Sequence, residues 1–324
     1  GQEGGIVAIL CSMKCLLVGN FGVGNLGDEA LKDYFLQEFS TVDWTVVSAD
    51  PQGEKEVARL PGGVRSLLKL QWFKTLFAYR SCDAIVFGGG SLFTDTESVF
   101  ACILWWFHAQ LGFALGKDVH LAFQGVGPFK TRLGNRLARE VFTKARSISV
   151  RDSFSYNRVG EWGLSQKCVQ TFDPVYSFIE SQNVATSTKK VFIVIPRKNS
   201  TDKFTKKTQE LVSSMAPEEI RIISMQPDKK SEVEYCQKLA STFDIPSSVQ
   251  KVSTLNELVQ QINLGSFVIS QRYHGALVAL ALNTQVTIIP QRDEDKLSSL
   301  CQFEGDMHKF IHAGEACLRN ALEN

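Results

Sequence analysis

The sequence lacks an excess of charge of either sign. Its 35 Lys and Arg residues against 34 Asp and Glu residues give a formal net charge of +1 at pH 7. The two halves of the chain, divided after Glu180, are balanced to the same degree. Because binding to nucleic acid by bulk charge requires a strongly basic surface, we expect no nucleic-acid partner. An anionic ligand would have to be bound by a few well-placed cations.

The sequence also lacks the cysteine and histidine spacings of metal sites. Its eight cysteines include no C-x-x-C pair, and neither HxH nor HExxH occurs. We therefore expect no bound metal and reduced, mostly buried thiols in a cytoplasmic protein. The G-x-S-x-G motif of serine hydrolases is absent as well. His308 and His312 are four residues apart, a spacing that we interpret as one exposed helix face.

Long apolar runs are missing too. The segment Val99–Gly116 is nearly long enough to span a bilayer, but polar residues and two glycines interrupt it. We interpret it as a helix buried against a sheet; the alternative is that Trp105 and Trp106 form a patch that faces a membrane. No positively charged region precedes the short apolar run near the beginning of the chain. We therefore expect residues 1–12 to be an extension that comes from cloning or from the choice of start site.

What the sequence contains is a regular alternation of short β-branched strands with helical patterns. This alternation is typical of parallel sheets with crossover helices. The 324 residues suit two α/β domains, and the polar stretch 180–190 has the composition of a linker. We predict an α/β fold of two Rossmann-like, doubly wound domains, 13–180 and 190–324, that face a cleft. Ligands bind such sheets at the carboxyl ends of the strands.

Glycine-rich segments follow three predicted strands of the first domain, in the ranges 19–30, 88–90 and 125–127. The first contains the G-x-G-x-x-G pattern of dinucleotide sites, but Asp28 follows its last glycine and would oppose a pyrophosphate. We interpret Asp28 as a carboxylate that accepts a proton from a sugar hydroxyl; the alternative is simple complementarity to the helix dipole. The glycines at 88–90 favour a ligand over a tight domain contact, because little else requires bare backbone there.

Cations follow predicted strands in both domains. Arg151 ends a strand of the first domain, whereas Arg197, Arg272 and His274 follow strands of the second. Guanidinium groups suit carboxylate and phosphate oxygens, so these positions predict a site for an anion. A helix begins at His274, and the positive end of its dipole should lower the pKa of the imidazole; the alternative is a capping histidine. The acidic run 293–295 resembles the D-x-D metal motif, but its flanking cations favour a solvated loop.

Six short motifs occur in a fixed order along the chain. They are GNLGDEA (24–30), GGGSLFTD (88–95), QGVGP (124–128), SVRDS (149–153), DP (173–174) and RYHGA (272–276). Together they resemble the polysaccharide pyruvyl transferase family, and most nearly its branch that pyruvylates secondary cell-wall polymers for S-layer anchoring. The resemblance extends over residues 13–300.

This resemblance implies a GT-B-like fold, phosphoenolpyruvate as donor with no further cofactor, and a lipid-linked, hexosamine-containing acceptor. It also implies that Asp28, Arg151, His274 and a lysine near the last strand serve the site. By position that lysine is Lys296. Where the family has a Tyr-Asp-Pro-Lys-like run, this sequence has QRDEDK, so Arg292 is the alternative to Lys296.

The expected division of roles follows from the charges of the two substrates. We expect His274 to act as general acid and base, and Asp28 to act as the base for the attacking hydroxyl, beside Arg151. Donor contacts are expected from Arg151, Arg197, Arg272, Lys296, Gly89, Gly90 and Ser91, and acceptor contacts from Asn25, Asp28 and Asp95. The alternatives are a GT-B glycosyltransferase that uses a nucleotide sugar and a non-catalytic sugar- or nucleotide-binding protein. We expect a cytoplasmic protein with peripheral contact to the membrane; the acceptor sugar and the oligomeric state stay open.

Overall fold

A computed structural model describes residues 12–180, 190–197, 200, 202–291 and 296–324. The strands of its first sheet are β1 (Lys14–Phe21), β2 (Asp43–Ser48), β3 (Glu56–Ala58), β4 (Ala84–Phe93), β5 (Asp118–Val126), β6 (Ser147–Val150) and β7 (Cys168–Gln170). They are parallel, in the order β3-β2-β1-β4-β5-β6-β7. The helices between them are α1 (Leu26–Glu38), α2 (Val64–Leu68), α3 (Trp72–Ser81), α4 (Val99–Ala114), α5 (Arg132–Lys144), α6 (Ser153–Glu161) and α7 (Val175–Glu180).

The second sheet is smaller and is also parallel. Its strands are β8 (Val191–Ile195), β9 (Glu219–Ser224), β10 (Ser247–Lys251), β11 (Phe267–Ser270) and β12 (Gln285–Ile288), in the order β10-β9-β8-β11-β12. Its helices are α8 (Asp202–Met215), α9 (Lys230–Ala240), α10 (Leu255–Asn263), α11 (Tyr273–Ala281) and α12 (Lys296–Cys301), before the last helix α13 (Met307–Glu323). The predicted α/β class with two Rossmann-like sheets is confirmed.

Apolar residues on both faces explain why the first sheet lies inside its domain. In β1, the four residues 15–18 are buried, and they alternate between two separate apolar clusters. This continuous apolar pattern is expected of parallel strands that helices cover on both sides. Helix starts carry ordinary capping side chains: Thr131 caps α5 and Asp152 caps α6.

Two strands of the first sheet are longer than their sequence pattern predicts. The strands predicted to end at Phe87 and Gln124 continue to Phe93 and Val126. The glycines that suggested a turn after β4 stay in the strand, and Gly90 pairs with Gln124 of β5. Gly89 and Gly90 have φ values of +72° and +78°, a conformation that favours glycine. The glycine-rich run is therefore a bent strand end and not a loop.

The last helix connects the two domains. The sequence-based boundary assigns residues 307–323 to the second domain, but in the structure α13 packs against β5, β6 and β7 of the first sheet. Glu315 of α13 accepts a hydrogen bond of 2.5 Å from the Tyr34 hydroxyl of α1. His312 is exposed on this helix, whereas His308 is half-buried against Tyr176.

An apolar cluster spans the boundary between the domains. It combines Leu26, Ala30 and Leu31 of α1 with residues of the second domain that include Ile195 and Ala276. The helices α1 and α7 of the first domain contact α10 and α11 of the second. Because the beginnings of α1 and α11 meet in this way, the carboxyl edges of the two sheets face each other.

Candidate active site

The two domains meet most closely where His274 lies against Gly27. A Cβ atom added at Gly27 would be 2.0 Å from Cε1 and 2.1 Å from Nδ1 of His274. Only glycine leaves room for the imidazole at this point of α1. His274 is 8% exposed, so its ring fills the gap between the first turn of α11 and the first turn of α1. Asp28 is the next residue of α1 and lies among the same cations, because Lys296 and Arg151 act on the pKa of both Asp28 and His274.

A buried carboxylate connects the two domains at the same point. Asp173 follows β7 and is fully buried, and its Oδ2 accepts a hydrogen bond of 2.6 Å from Nη1 of Arg151. The same Oδ2 lies 3.9 Å from Nε2 of His274. Its Oδ1 accepts a hydrogen bond of 3.1 Å from the backbone N–H of Val175 at the beginning of α7. Asp173 thus positions an arginine of one domain beside a histidine of the other.

Arg151 is the best-anchored cation of the site. It is 3% exposed, and in addition to Asp173 it donates a hydrogen bond of 3.1 Å to Oγ of Ser91. Its guanidinium lies 4.9 Å from the centroid of the Tyr273 ring, a cation–π distance. Burial alone would lower the pKa of Arg151, but Asp173, Tyr273 and Asp152 together outweigh this effect and raise it. Arg151 is therefore permanently charged and fixed in orientation.

Asp28 lies at the bottom of the cleft on the first turn of α1. Its Oδ2 accepts a hydrogen bond of 2.8 Å from Nδ2 of Asn20. A Cβ atom at Gly90 would be 3.2 Å from Oδ1 of Asp28, so the bent end of β4 leaves space for this carboxylate. Burial raises the pKa of Asp28, although Asn20, Lys296 and Arg151 act against the increase. A raised pKa makes this carboxyl a group that can carry a proton.

His274 is held in its neutral form. Burial lowers the pKa of His274 to about 3; Asp173 acts against the decrease, and Lys296 and Arg151 add to it. The predicted direction of this shift agrees with the structure, but burial rather than the helix dipole is its main cause. Nε2 has no hydrogen-bond partner within the part of the chain that the structure describes. A neutral imidazole with an unpaired nitrogen can accept a proton or bind a ligand group.

Lys296 begins α12 and completes the group of cations. Its Nζ lies 5.5 Å from the centroid of the Tyr273 ring, on which Arg151 also packs. Burial lowers the pKa of Lys296 to about 8, and the positive charges of Arg151, Arg197 and Arg272 add to the decrease. The side chain is still accessible to solvent from the cleft. The alternative residue, Arg292, lies outside the described residues.

The remaining two arginines line the second domain's side of the cleft. Nη1 of Arg272 lies 3.4 Å from Oε2 of the buried Glu232, and burial lowers the pKa of Arg272. Nη1 of Arg197 donates a hydrogen bond of 3.1 Å to the side chain of Gln291. Each arginine affects the pKa of Lys296, so all three cations belong to one site.

Several residues predicted to touch substrate have structural roles. Both oxygens of Asp95, which is 4% exposed, accept hydrogen bonds from Lys130 and Thr131 in the loop before α5. These hydrogen bonds give Asp95 a structural role, and its contact with the acceptor stays a prediction. Asn25 caps α1 by accepting a hydrogen bond of 3.2 Å from the N–H of Gly27. The space beside Gly89 is filled by Leu31 of α1, so close helix packing explains the need for glycine there.

The loop after β1 leaves no room for the pyrophosphate of a dinucleotide. Oε1 of Glu29 accepts a hydrogen bond of 2.7 Å from the N–H of Gly22, and Gly27 is covered by His274. The positions that a pyrophosphate would occupy at the helix start are therefore taken by protein groups. Among the described residues, no group of three or more His, Cys, Asp or Glu could hold a metal ion.

The two tryptophans of α4 do not form a common exposed patch. Trp105 is 4% exposed, and Nε1 of Trp106 donates a hydrogen bond of 3.1 Å to Glu140. The interpretation of α4 as a helix buried against the sheet is correct for Trp105, whereas Trp106 is half-buried. In the described part of the chain, no helix is long and apolar enough to cross a membrane. The described cysteines are free thiols, five of them buried.

Two site residues were missed from the sequence. Asp173 and Tyr273 stand inside motifs that the sequence made conspicuous, but neither was assigned to the site. Asp173 follows a strand end, the same signal that singled out Arg151. Tyr273 shows no such signal, because an aromatic residue on an apolar helix is normally part of the core. Only the fold shows that its ring lies between Arg151 and Lys296.

Solved structures with a similar fold include proteins determined with UDP. MnaA from S. aureus, solved with UDP, is 11% identical, with 96% of this chain and 90% of that chain covered and a TM-score of 0.60. A putative UDP-N-acetylglucosamine 2-epimerase from Listeria monocytogenes is 13% identical, with the same coverage and a TM-score of 0.58. HepE from Anabaena, solved with UDP and glucose, is 11% identical, with 96% and 95% covered and a TM-score of 0.52. These similarities confirm the GT-B-like fold.

Sequence comparison identifies the family. No curated protein matches the chain. The model of the polysaccharide pyruvyl transferase family matches residues 25–293, which include Asp28, Arg151, Asp173 and His274. Lys296 lies just beyond the matched range. Since the match covers most of the chain and all but one of the residues that form the site, the protein belongs to the polysaccharide pyruvyl transferase family.

Proposed function

We propose that the protein transfers the pyruvyl group of phosphoenolpyruvate to a lipid-linked, hexosamine-containing saccharide and leaves it there as a cyclic ketal. The observation that carries this proposal is the concentration of cations around His274. Arg151 comes from the first domain, and Arg197, Arg272 and Lys296 come from the second. Burial lowers the pKa of Lys296, and the three arginines add to the decrease. A cluster of this kind favours a small ligand with several negative charges.

Phosphoenolpyruvate fits this charge distribution because it carries a carboxylate at one end and a phosphate at the other. Two of the cations have buried carboxylate partners, Asp173 for Arg151 and Glu232 for Arg272. Lys296 and Arg197 have no carboxylate within ion-pair distance among the described residues. The positive charge that these two side chains leave uncompensated favours a strongly anionic donor. Arg151, with its fixed planar group, is suited to hold the carboxylate or a phosphate edge in one orientation.

The protonation states suggest roles for Asp28 and His274. Ketal formation requires a proton on the methylene carbon of the donor and removal of a proton from a sugar hydroxyl. In the ligand-free site His274 is neutral and Asp28 has a raised pKa. We assign proton donation to Asp28 and proton acceptance to His274, the reverse of the expectation from sequence. Lys296 and Arg151 act on the pKa of both groups, which supports a substrate that contacts both.

The reaction balances with these two groups and no further reagent. The methylene carbon accepts a proton and becomes a methyl group, and a sugar hydroxyl oxygen bonds to the adjacent carbon. The bond from that carbon to the phosphate oxygen breaks, and a second hydroxyl of the same sugar closes the ring. The sugar releases two hydroxyl protons. One of them returns Asp28 to its protonated form, and the other leaves with phosphate. Positive charge that develops during the transfer lies near Asp173 and Asp28, and the leaving phosphate lies among the cations.

The direct test is turnover with purified protein. Phosphoenolpyruvate and a lipid-linked disaccharide should give equal amounts of free phosphate and of saccharide that gains one pyruvyl ketal by mass. Arg151→Lys should lower this rate by about 10² or more, because it removes the bidentate geometry. Arg146→Lys, an exposed arginine just before β6, is the matched control and should be unaffected.

A thermal-shift experiment separates this function from its two alternatives. Phosphoenolpyruvate at about a hundredfold its Kd should stabilise the protein by about 2–3 kcal/mol. A nucleotide sugar that stabilises the protein when phosphoenolpyruvate does not would show a glycosyltransferase or a nucleotide-binding protein instead. Stabilisation by phosphoenolpyruvate without turnover on any saccharide would show a binding protein.

A further inference from the structure

An exposed apolar surface covers the outer side of the helices α2, α3 and α4. Of the nine large apolar side chains that are exposed in the described part of the chain, seven lie here: Leu67, Leu68, Leu70, Phe73, Phe77, Phe100 and Phe107. Leu68 and Phe77 are each 74% exposed, and Phe100 is 75% exposed. We call this set the α2–α4 surface. Exposed apolar side chains that are concentrated in one place mark an interaction site rather than ordinary surface variation.

The helices that carry these side chains are tied together. The hydroxyl of Tyr79 on α3 and Nδ1 of His108 on α4 are 2.7 Å apart and hydrogen-bonded. Nε2 of His108 accepts a hydrogen bond of 3.2 Å from the backbone N–H of Leu60 in the segment before α2. The inner sides of α3 and α4 belong to one apolar cluster. Their outer sides therefore form one continuous surface.

The charge around this surface is predominantly positive, although Asp83 after α3 and Glu97 before α4 are exposed. Between residues 66 and 81 the exposed charged residues are Lys69, Lys74 and Arg80, with no acidic residue, and α4 carries no charge at all. The next helix along the same side of the sheet, α5, has Glu140 as its only acidic residue. Its exposed basic residues are Arg132, Arg136, Arg139 and Lys144. The balanced net charge of the whole chain thus conceals one strongly basic side.

We propose that the α2–α4 surface docks on an anionic lipid bilayer. Exposed phenylalanine and leucine side chains partition into the interfacial region, and lysine and arginine bind the anionic headgroups. Exposed phenylalanines beside several basic residues suit lipid better than they suit nucleic acid, whose backbone requires charge alone. The proposal depends only on this surface and not on the proposed reaction.

The position of the surface relates it to the cleft. Each helix that follows a parallel strand begins at the carboxyl edge of the sheet. Phe100, near the beginning of α4, therefore lies towards the edge that also carries Asp28 and Arg151. A bilayer on the α2–α4 surface would lie beside the mouth of the cleft, where a lipid-linked saccharide could reach it.

Vesicle co-sedimentation of the full chain tests the proposal. The vesicles contain phosphatidylcholine alone or with about one third phosphatidylglycerol, at low and at moderate salt. The wild-type protein should bind the phosphatidylglycerol vesicles, and added salt should weaken this binding. Lys69→Glu with Lys74→Glu should lower the partition coefficient at least about 20-fold, since each basic residue near an anionic surface contributes about fivefold. Leu68→Ser with Phe77→Ser should also lower it, with little change in melting temperature because both side chains are exposed.

The matched control makes the same change of net charge on the other domain. Lys206→Glu with Lys238→Glu alters two exposed lysines of α8 and α9 and should retain binding. Failure of the wild-type protein to bind phosphatidylglycerol vesicles would overturn the proposal. So would loss of binding in this control to the same extent as in the α2–α4 variants, since net charge alone would then explain the result. Unchanged binding by both α2–α4 variants would place the contact elsewhere and would equally overturn it.

Discussion

The two edges that form the cleft hold their cations in different ways. On the first domain's side, Arg151 has a buried carboxylate, a serine hydroxyl and an aromatic ring as partners, and its pKa is raised. On the second domain's side, Lys296 has the same aromatic ring as a neighbour, and its pKa is lowered to about 8. The cation of the first edge has its charge compensated before a ligand binds. The cation of the second edge, which we call the strained edge, is disfavoured in its charged form.

This difference indicates a division of work within one site. Prearranged groups reduce the reorganisation needed when charge develops, so the first domain supplies orientation. Cations that repel one another gain most from an anion, so the second domain supplies the affinity that depends on ligand charge. Asp173 and Gly27 connect the two edges, because each contacts or accommodates His274 from across the domain boundary.

Breaking the prearranged edge should have the largest effect. Asp173→Asn leaves the buried Arg151 without a charged partner, and removal of one member of a buried ion pair costs about 3–5 kcal/mol. We expect this loss in the free energy of unfolding, measured by urea denaturation. Asp152→Asn is the control, because Asp152 caps α6 and asparagine caps a helix equally well. Equal stability of the two variants would show that the Arg151–Asp173 pair is not important for the fold.

Displacing His274 of one edge from Gly27 of the other should have the next largest effect. Gly27→Ala places a Cβ atom 2.0 Å from the His274 ring and forces the imidazole to move by about 1 Å. A displacement of this size costs about 10² in rate, which we expect in kcat for ketal formation. Gly53→Ala, where an added Cβ atom meets nothing within 4 Å, is the control. A Gly27→Ala enzyme with normal kcat would mean that His274 does not act where the structure places it.

Lys296 of the strained edge should make kcat/KM depend on pH. With a pKa of about 8, Lys296 is protonated below that pH and neutral above it. We therefore expect kcat/KM, which reports the free enzyme, to fall by about tenfold per pH unit above pH 8. Lys296→Arg should move this decline to higher pH, since arginine stays charged. On the acidic side, with the pKa of His274 at about 3, His274 should cause no decline near pH 6.5. A decline there would belong to the phosphate of the donor, which itself titrates at about pH 6. An unchanged alkaline decline in Lys296→Arg would assign it to another group.

The smallest effect concerns Asn25, which the sequence assigned to the acceptor and the structure uses as a helix cap. Asn25→Ala should cost about 1 kcal/mol of stability and should leave the KM for the saccharide unchanged. Asn25→Ser, which restores a capping oxygen, should recover the stability. A raised KM in both variants would instead support the acceptor contact that the sequence predicted.

The sequence predicted the sheets and the cations well, because both depend on local patterns. β-branched runs such as Val191–Ile195 form strands of the parallel sheets in the structure. Arg151 and His274 could be singled out because parallel strands bring their carboxyl ends to one edge. The prediction was wrong about the glycine run 88–90. Its composition is typical of a turn after the strand, but in the structure it is the end of β4 and packs against α1.

What could not be predicted depends on contacts between distant parts of the chain. Asp173 and His274 are far apart in sequence, and nothing local shows that one carboxylate meets both His274 and Arg151. The return of α13 to the first sheet is of the same kind, since its amphipathic pattern fits either domain. Asp95 was assigned to the acceptor from its motif, whereas its hydrogen bonds to the loop before α5 exist only in the fold.

The most direct test of the two-edged site is a calorimetric titration with phosphoenolpyruvate near pH 8, in buffers of different ionisation enthalpy. An anion that binds among these cations should raise the pKa of Lys296, so binding should take up protons. We predict saturable binding with net proton uptake, and loss of that uptake in Lys296→Arg. Binding without proton uptake, or no binding at all, would contradict the account.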